Sequence, residues 1–191
     1  MKLADAPIED GDLLFFRGRA WYSRLIRWWT GSPYSHVAAV LSVRFTGSPE
    51  RIPVAFEAME GYGGGVRPVP LAPYLASSLA QGVGVTWRPL AENASIDRAK
   101  MAAYLVSTWG ESYSSPLQFL WSFGRLSRWL QRRLGLRAEL DTTRPFCSWE
   151  IVKALEAAGW CRPWTIPDPA DWTPGDVFNL DCLGAAEVLS P

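Results

Sequence analysis

The stretch SPYSHVAAVL, residues 32–41, joins a polar, turn-like run to an apolar one. The apolar run that begins at Val37 predicts a buried strand. His36 stands at the start of this strand, and it is the only histidine among the 191 residues. A lone histidine is more often a half-exposed surface residue or a satisfied buried one than a catalytic group. The role of His36 therefore has to be inferred from the other residues of the chain.

Length and composition predict one globular domain over residues 1–191. Lys plus Arg and Asp plus Glu number 19 each, so no overall charge recruits nucleic acid. The opening MKLADAPIEDGD lacks the apolar segment of a signal peptide, and no run resembles a membrane span. These features predict a cytoplasmic protein. The 11 tryptophans exceed the needs of a core, so we expect some apolar surface for a ligand or partner.

The three cysteines, Cys147, Cys161 and Cys182, are spaced like neither a zinc site nor a disulfide framework. With one histidine and no C-x-x-C motif, the sequence predicts no metal site and no cofactor. Reduced thiols agree with a cytoplasmic setting.

The order of the predicted elements is typical of an α+β fold, with strands first and most helices afterwards. Apolar, β-leaning runs predict the strands, which are GDLLFFRG, HVAAVLSVRF, IPVAFEAM, VRPVPL and GVGVTWRPL. One early helix is expected in WYSRLIRWWTG, where Trp21, Leu25 and Trp28 follow helical spacing and Gly31 is the stop. We expect a small antiparallel sheet or half-barrel packed against helices.

Helices dominate the second half of the chain. SIDRAKMAAYLVSTWG predicts a helix with Ser95 as N-cap and Gly110 beyond its end. SPLQFLWSFGRLSRWLQRRLGL predicts a basic-aromatic helix, and FCSWEIVKALEAAG predicts another that Gly159 closes. The tail CRPWTIPDPADWTPGDVFNL is rich in Pro and Trp and is expected to be a loop.

Cys147 is predicted to begin the last of these helices. A thiol at that position meets unpaired amides and the positive end of the helix dipole, and both favour the thiolate. Its helical stripe continues through Ile151, Leu155 and Ala158, so it faces the protein body. The alternative is therefore a buried, inert cysteine that acts as a small hydrophobe.

A nucleophilic cysteine needs a base, and the base needs a group that orients it. His36 is the base or there is none, because no other imidazole exists. Glu57, in the next predicted strand, could accept the second imidazole N–H across a hairpin. A symmetric loop near Ser48 would instead place Glu60 opposite His36, whereas a bulge or an asymmetric loop would restore Glu57.

The motifs GDLLFF, YSHVAAVL, FEA and FCSWEIVKALEAAG occur in an order that resembles the circularly permuted papain-like amidases. This group includes bacterial YiiX- and YebB-like proteins and is related to the NlpC-type cell-wall peptidases. In it, the histidine and its acidic partner precede the cysteine. The resemblance covers roughly residues 10–175, and it implies a permuted papain-like fold with Cys147 as nucleophile, His36 as base and Glu57 as orienting acid.

The sequence departs from the group at two places. The group often has Glu two residues after the cysteine, but here Trp149 stands there and Glu150 follows. Residues 112–140 form an insertion that the group's core does not explain. Tyr34 and Ser148 are further candidates for substrate or oxyanion contacts.

The resemblance implies a cysteine peptidase or amidase that works through a thioester, with peptidoglycan-type peptides as one substrate class. A lipid acyl hydrolase or acyltransferase at a membrane surface is an alternative. Residues 117–136 could then rest on an anionic lipid surface as a peripheral membrane contact, although a core helix with a solvated basic face explains the same pattern. A non-catalytic binding module that retains the fold is the third possibility.

Overall fold

A computed structural model describes residues 1–44, 46–47, 49–59, 65–112, 147–161 and 172–191. These residues contain six strands, five α-helices and a short 3-10 helix, so the fold is α+β as predicted. The strands are β1 (Leu13–Arg17), β2 (His36–Val43), β3 (Ile52–Met59), β4 (Gly65–Pro70), β5 (Gly84–Arg88) and β6 (Glu187–Leu189). The helices are α1 (Trp21–Thr30), α2 (Leu71–Ala80), α3 (Arg98–Ser107), α4 (Cys147–Ala157) and α5 (Pro174–Phe178), with the 3-10 helix at Leu3–Asp5.

The six strands form one antiparallel sheet in the order β4-β3-β2-β1-β5-β6. The central position of β1 and β2 follows from their near-continuous apolar runs, because a strand buried on both faces has no polar side to offer to water. The predicted antiparallel sheet is therefore confirmed. It is open rather than closed, with β4 and β6 at its edges.

Helices cover both faces of the sheet. The face that carries Val37, Ala39 and Leu41 packs with α4, and α3 packs against α4 in turn; we call it the α4 face. The face that carries Ala38 and Val40 packs with α2, and we call it the α2 face. His36 lies on the α2 face, because it pairs with Phe16 and strand residues alternate in direction.

Several predicted helix boundaries are confirmed. Gly31 follows α1 with a φ of 70°, and Gly159 follows α4 with a φ of 97°. This left-handed conformation suits glycine because it has no Cβ, and it lets the chain leave the helix. The helix that carries Cys147 begins at Cys147 itself, as predicted.

Other local predictions were wrong. Asp97, not Ser95, caps α3, since its carboxylate accepts hydrogen bonds from the backbone N–H groups of Ala99 and Lys100. The sequence prediction missed α2, whose third residue is Pro73. Proline is tolerated there because the first-turn N–H groups have no partner within the helix. The tail also contains more than loop, because α5 lies within it.

Several expectations fall on residues that the structure does not describe. They concern Glu60, the basic-aromatic helix at 117–136, and the proposed insertion at 112–140 from residue 113 onward. Among the described residues, no helix has the length and apolar character needed to cross a membrane.

Candidate active site

Cys147 is the first residue of α4, and it is only 2% exposed. Helical spacing places Ile151 and Leu155 below it, and both are buried in the core between α4 and the sheet. The predicted direction of this stripe, toward the protein body, is therefore confirmed.

His36 is the first residue of β2, and its side chain is 15% exposed. Its Nε2 atom lies 3.0 Å from Oε2 of Glu57. The Cys147 side chain lies close enough to the imidazole to raise the pKa of His36 through its charge and through hydrogen bonding. Because Glu57 occupies Nε2, Nδ1 is the nitrogen left for the sulfur. The imidazole thus stands between the thiol and the carboxylate.

The surroundings of His36 strongly favour the imidazolium. Burial alone would lower its pKa, but the charge of Cys147 and the hydrogen bond to it outweigh this effect, and Glu57 adds to them. The net result raises the pKa of His36 from 6.5 to about 10. The imidazole is therefore a cation at neutral pH, with the Glu57 carboxylate and the Cys147 side chain beside it.

Glu57 reaches His36 by a route that the sequence did not predict. Ala39 pairs with Phe56, so the register continued along the strands sets Glu57 opposite Ala38. Glu57 is then the diagonal neighbour of His36 on the α2 face, a separation that a long side chain can bridge. No bulge is needed. The alternative acid, Glu60, lies outside the described residues.

The Glu57 carboxylate is 1% exposed and accepts two further hydrogen bonds. The Tyr74 hydroxyl, on α2, donates to Oε2 at 2.7 Å, and the Arg67 guanidinium, on β4, donates to Oε1 at 3.4 Å. Burial alone would raise the pKa of Glu57, but His36, then Tyr74 and Arg67, lower it below the ordinary 4.5. A buried carboxylate with three donors stays ionised and keeps its orientation.

Sequence reasoning missed Tyr74 and Arg67. Arg67 pairs directly with Glu57 across the β3–β4 hairpin, so an opposite-charge pair could have been found once the hairpin register was known. Tyr74 lies on the unpredicted helix α2, so the sequence offered no comparable signal. Burial, then the charge and hydrogen bond of Glu57, raise the pKa of Tyr74 far above 10, which keeps the hydroxyl a donor.

Tyr34 and Ser148 already have partners for their hydroxyl groups. The Tyr34 ring packs between Phe15 and Phe178, and its hydroxyl donates to Thr86 on β5 at 3.3 Å. The Ser148 hydroxyl is buried and donates to the Trp172 carbonyl at 2.5 Å. These contacts hold loops and strands together, and they engage both hydroxyl groups as donors.

Glu150 is buried on α4, one turn after Cys147. Its Oε1 accepts a hydrogen bond from the Thr108 hydroxyl, and its Oε2 has no partner among the described residues. Burial raises the pKa of Glu150 to about 7; the Thr108 bond opposes this rise, and the charge of Glu111 adds to it. This carboxyl joins α4 to the end of α3 and does not belong to the row of Cys147, His36 and Glu57.

The fold has a counterpart among solved structures. The crystal structure of metalloprotein yiiX from Escherichia coli O157:H7 superposes with a TM-score of 0.54 at 23% sequence identity, and the match covers 94% of this chain and 96% of that chain. The two proteins therefore share a fold over nearly their whole lengths. No protein-family model matches the sequence, and no curated protein matches it.

The word metalloprotein describes that neighbour. In the described parts of this chain, no three His, Cys, Asp or Glu side chains are grouped so that they could hold a metal ion. Nε2 of His36 and Oε2 of Glu57 lie 3.0 Å apart, which is a direct hydrogen-bond contact.

Proposed function

We propose that the protein is a cysteine-dependent hydrolase of amide or ester bonds, with Cys147 as nucleophile, His36 as general base and acid, and Glu57 as the orienting carboxylate. The observation that carries the proposal is that the His36 imidazole hydrogen-bonds to Glu57 and lies beside Cys147, the first residue of α4, whose side chain raises the pKa of His36. Nucleophile, base and orienting group in this relation are the parts that covalent acyl transfer requires.

The same three residues support assignment to the permuted papain-like amidases. His36 and Glu57 come from adjacent strands, and Cys147 comes from a helix that follows them in the chain. The order along the sequence is thus histidine, acid, cysteine, which is the order of the permuted group. The yiiX fold match is consistent with this assignment.

The reaction begins with His36 protonated and Cys147 as thiolate. The sulfur attacks the carbonyl carbon, so that a C–S bond forms and the carbonyl electron pair moves to oxygen. The backbone N–H groups of Cys147 and Ser148 are the donors proposed for this oxyanion. When the oxyanion collapses, the bond to the leaving group breaks, and the departing nitrogen or oxygen takes the proton from His36.

A thioester and a neutral imidazole remain after this step. His36 then accepts a proton from water as the water oxygen attacks the thioester carbon. The C–S bond breaks, the carboxylic acid leaves, and the thiolate–imidazolium pair is restored. Glu57 keeps Nε2 of His36 engaged throughout, so Nδ1 stays directed at the sulfur and the leaving group. Peptidoglycan-type peptides are the first substrate class to test.

The decisive experiment is iodoacetamide labelling between about pH 5 and about pH 9, with mass-spectrometric assignment of each cysteine. Wild type is compared with His36→Ala and Cys147→Ala. We expect Cys147 to label fast below neutral pH and to lose this reactivity in His36→Ala. Incubation with stem-peptide amides and esters should then leave an acyl adduct on Cys147.

Two internal controls come from the same chain. Cys161 is exposed and reports ordinary thiol reactivity. Cys182 is buried, and burial together with the charge of Asp181 raises its pKa to about 12, so it should label slowly. If Cys147 labels no faster than Cys161, and without dependence on His36, the protein is a binding module that retains the fold and not a hydrolase.

A further inference from the structure

Helix α1 presents large aromatic side chains to solvent. Trp21 is 77% exposed, Trp28 is 74% exposed and Tyr22 is 53% exposed. Trp21, Leu25 and Trp28 are spaced i, i+4 and i+7, so the two tryptophans lie on the same side of the helix, two turns apart. The spacing seen in the sequence thus produces an outer apolar surface rather than a core stripe.

The side of α1 that faces the protein carries small polar residues. Ser23 and Thr30 are its buried positions. A Cβ at Gly18 would collide with the Ser23 side chain, so the helix is seated closely against the backbone there. Amphipathic helices of globular proteins normally turn their bulky apolar residues inward. Helix α1 has the opposite arrangement, with its bulky apolar residues pointing outward. This arrangement is typical of a helix that contacts another apolar environment.

The charged side chains of α1 and of the segments that flank it in sequence have one sign. From Leu13 to Pro49 the sequence contains no Asp and no Glu. Arg17, Arg19 and Arg24 are exposed, and in the described part of the chain none of them forms an ion pair. Since the whole chain has a formal net charge of zero, this cation cluster is a local feature and not the result of a basic composition.

Helix α1 also lies near the candidate active site. It connects the end of β1 to the start of β2, and Phe16 pairs with His36 at that end of the sheet. A surface that contacts α1 therefore approaches the end of the central strands where His36 lies.

We propose that Trp21, Tyr22 and Trp28, with Arg17, Arg19 and Arg24, form an α1 patch that docks the protein on an anionic lipid bilayer. Tryptophan and tyrosine prefer the headgroup level of a membrane, because one part of each ring system is apolar and the other is polar. Unpaired arginines beside them are attracted to acidic headgroups. This pairing of aromatic and cationic side chains on one short helix is the chemistry of an interfacial anchor. The docking does not depend on the proposed hydrolase chemistry.

The test is co-sedimentation of the full chain with vesicles of phosphatidylglycerol and phosphatidylcholine in equal parts, and with vesicles of phosphatidylcholine alone. We expect binding to the anionic vesicles and a blue shift of tryptophan emission. Trp21→Ala/Trp28→Ala should reduce the partition coefficient by about tenfold or more, because two large apolar side chains no longer enter the interface. The charge reversal Arg24→Glu should reduce it by more than about fivefold.

Trp109→Ala is the matched control, since Trp109 is an exposed tryptophan outside α1. It should bind vesicles as wild type does, and circular dichroism should show that all variants are folded. Cys147→Ala should also bind normally, which separates this proposal from the hydrolase. The proposal is overturned if the wild-type protein does not bind anionic vesicles, or if the α1 variants bind them as the wild type does. It is also overturned if the α1 variants lose binding to a single-stranded oligonucleotide while no vesicle binding occurs.

Discussion

Glu57 contacts His36 from a diagonal position on the neighbouring strand, with Oε2 3.0 Å from the imidazole Nε2. The residue directly across from Glu57 on the other side, in β4, is Arg67. One carboxylate is therefore shared between a histidine on β2, an arginine on β4 and the Tyr74 hydroxyl on α2. This sharing makes the orientation of the imidazole depend on three elements that are distant in sequence.

Replacing Glu57 by Gln should destabilise the protonated form of His36, which is the imidazolium that pairs with Cys147. The charge and hydrogen bond of Glu57 both raise the pKa of His36, and an amide supplies no charge. We expect Cys147 alkylation at about pH 6 to slow by about tenfold or more, since a weaker partner holds less thiolate. Glu92→Gln, at an exposed position, is the control and should label as wild type does. Equal rates in both variants would show that Glu57 has no part in the reactive pair.

Tyr74→Phe should remove one donor from Glu57 and keep the aromatic ring, which packs 5.2 Å from Phe16. A hydrogen bond to a buried charged group contributes about 1.5–3 kcal/mol, so urea unfolding should report a loss of that order. The NMR titration of His36 in this variant should also shift, because Glu57 becomes a less firmly ionised partner. An unchanged unfolding free energy would contradict the role given to this hydroxyl.

The single histidine makes a direct titration possible, because one imidazole Hε1 signal belongs to His36 without further assignment. In wild type this signal should titrate far above 6.5, toward about 10. In Cys147→Ala it should titrate at much lower pH, because Cys147 makes the largest contribution that raises the pKa. Cys161→Ala, which removes an exposed thiol, should leave the titration unchanged. Titration near 6.5 in wild type would mean that no thiolate–imidazolium pair exists.

The same shift has a consequence for stability. Between pH 6.5 and about 10 the folded protein holds a proton on His36 that the unfolded chain has released. This stabilisation is therefore complete below 6.5 and is lost as the pH rises toward 10. Unfolding free energies measured over this window should fall more steeply for wild type than for His36→Ala. Parallel curves would contradict the raised pKa.

Glu150 should make the protein less stable as the pH rises through a lower window. Its pKa is about 7 in the folded protein against an ordinary 4.5, so the folded state holds the proton longer than the unfolded chain does. Stability from this group is present below 4.5 and is lost by about 7. The full loss is about 3 kcal/mol. Glu150→Gln cannot ionise, so it should be more stable than wild type at about pH 8 and similar at about pH 4. If the two proteins differed in unfolding free energy by the same amount at both pH values, this prediction would be contradicted.

Short-range sequence patterns were enough to predict the central strands of the sheet and the ends of α4. The apolar runs in LLFF and HVAAVL predict buried strands, and these strands occupy the middle of the sheet. Cys147 and Gly159 mark the beginning and the exit of α4, because helix ends depend on the conformations that a few neighbouring residues can adopt. The composition of the chain, with one histidine, was enough to name His36 as the one available imidazole base.

The contacts around Glu57 could be decided only by the tertiary structure. A shift of one residue in strand register moves every side chain to the opposite face, and sequence spacing alone left that register open between Glu57 and Glu60. Tyr74 reaches the carboxylate only because α2, a helix missing from the sequence prediction, packs on the same face of the sheet. The outward direction of Trp21 and Trp28 and the burial of Glu150 also depend on which side of a helix meets the sheet. Periodicity defines the sides of a helix, but long-range packing selects the side that becomes buried.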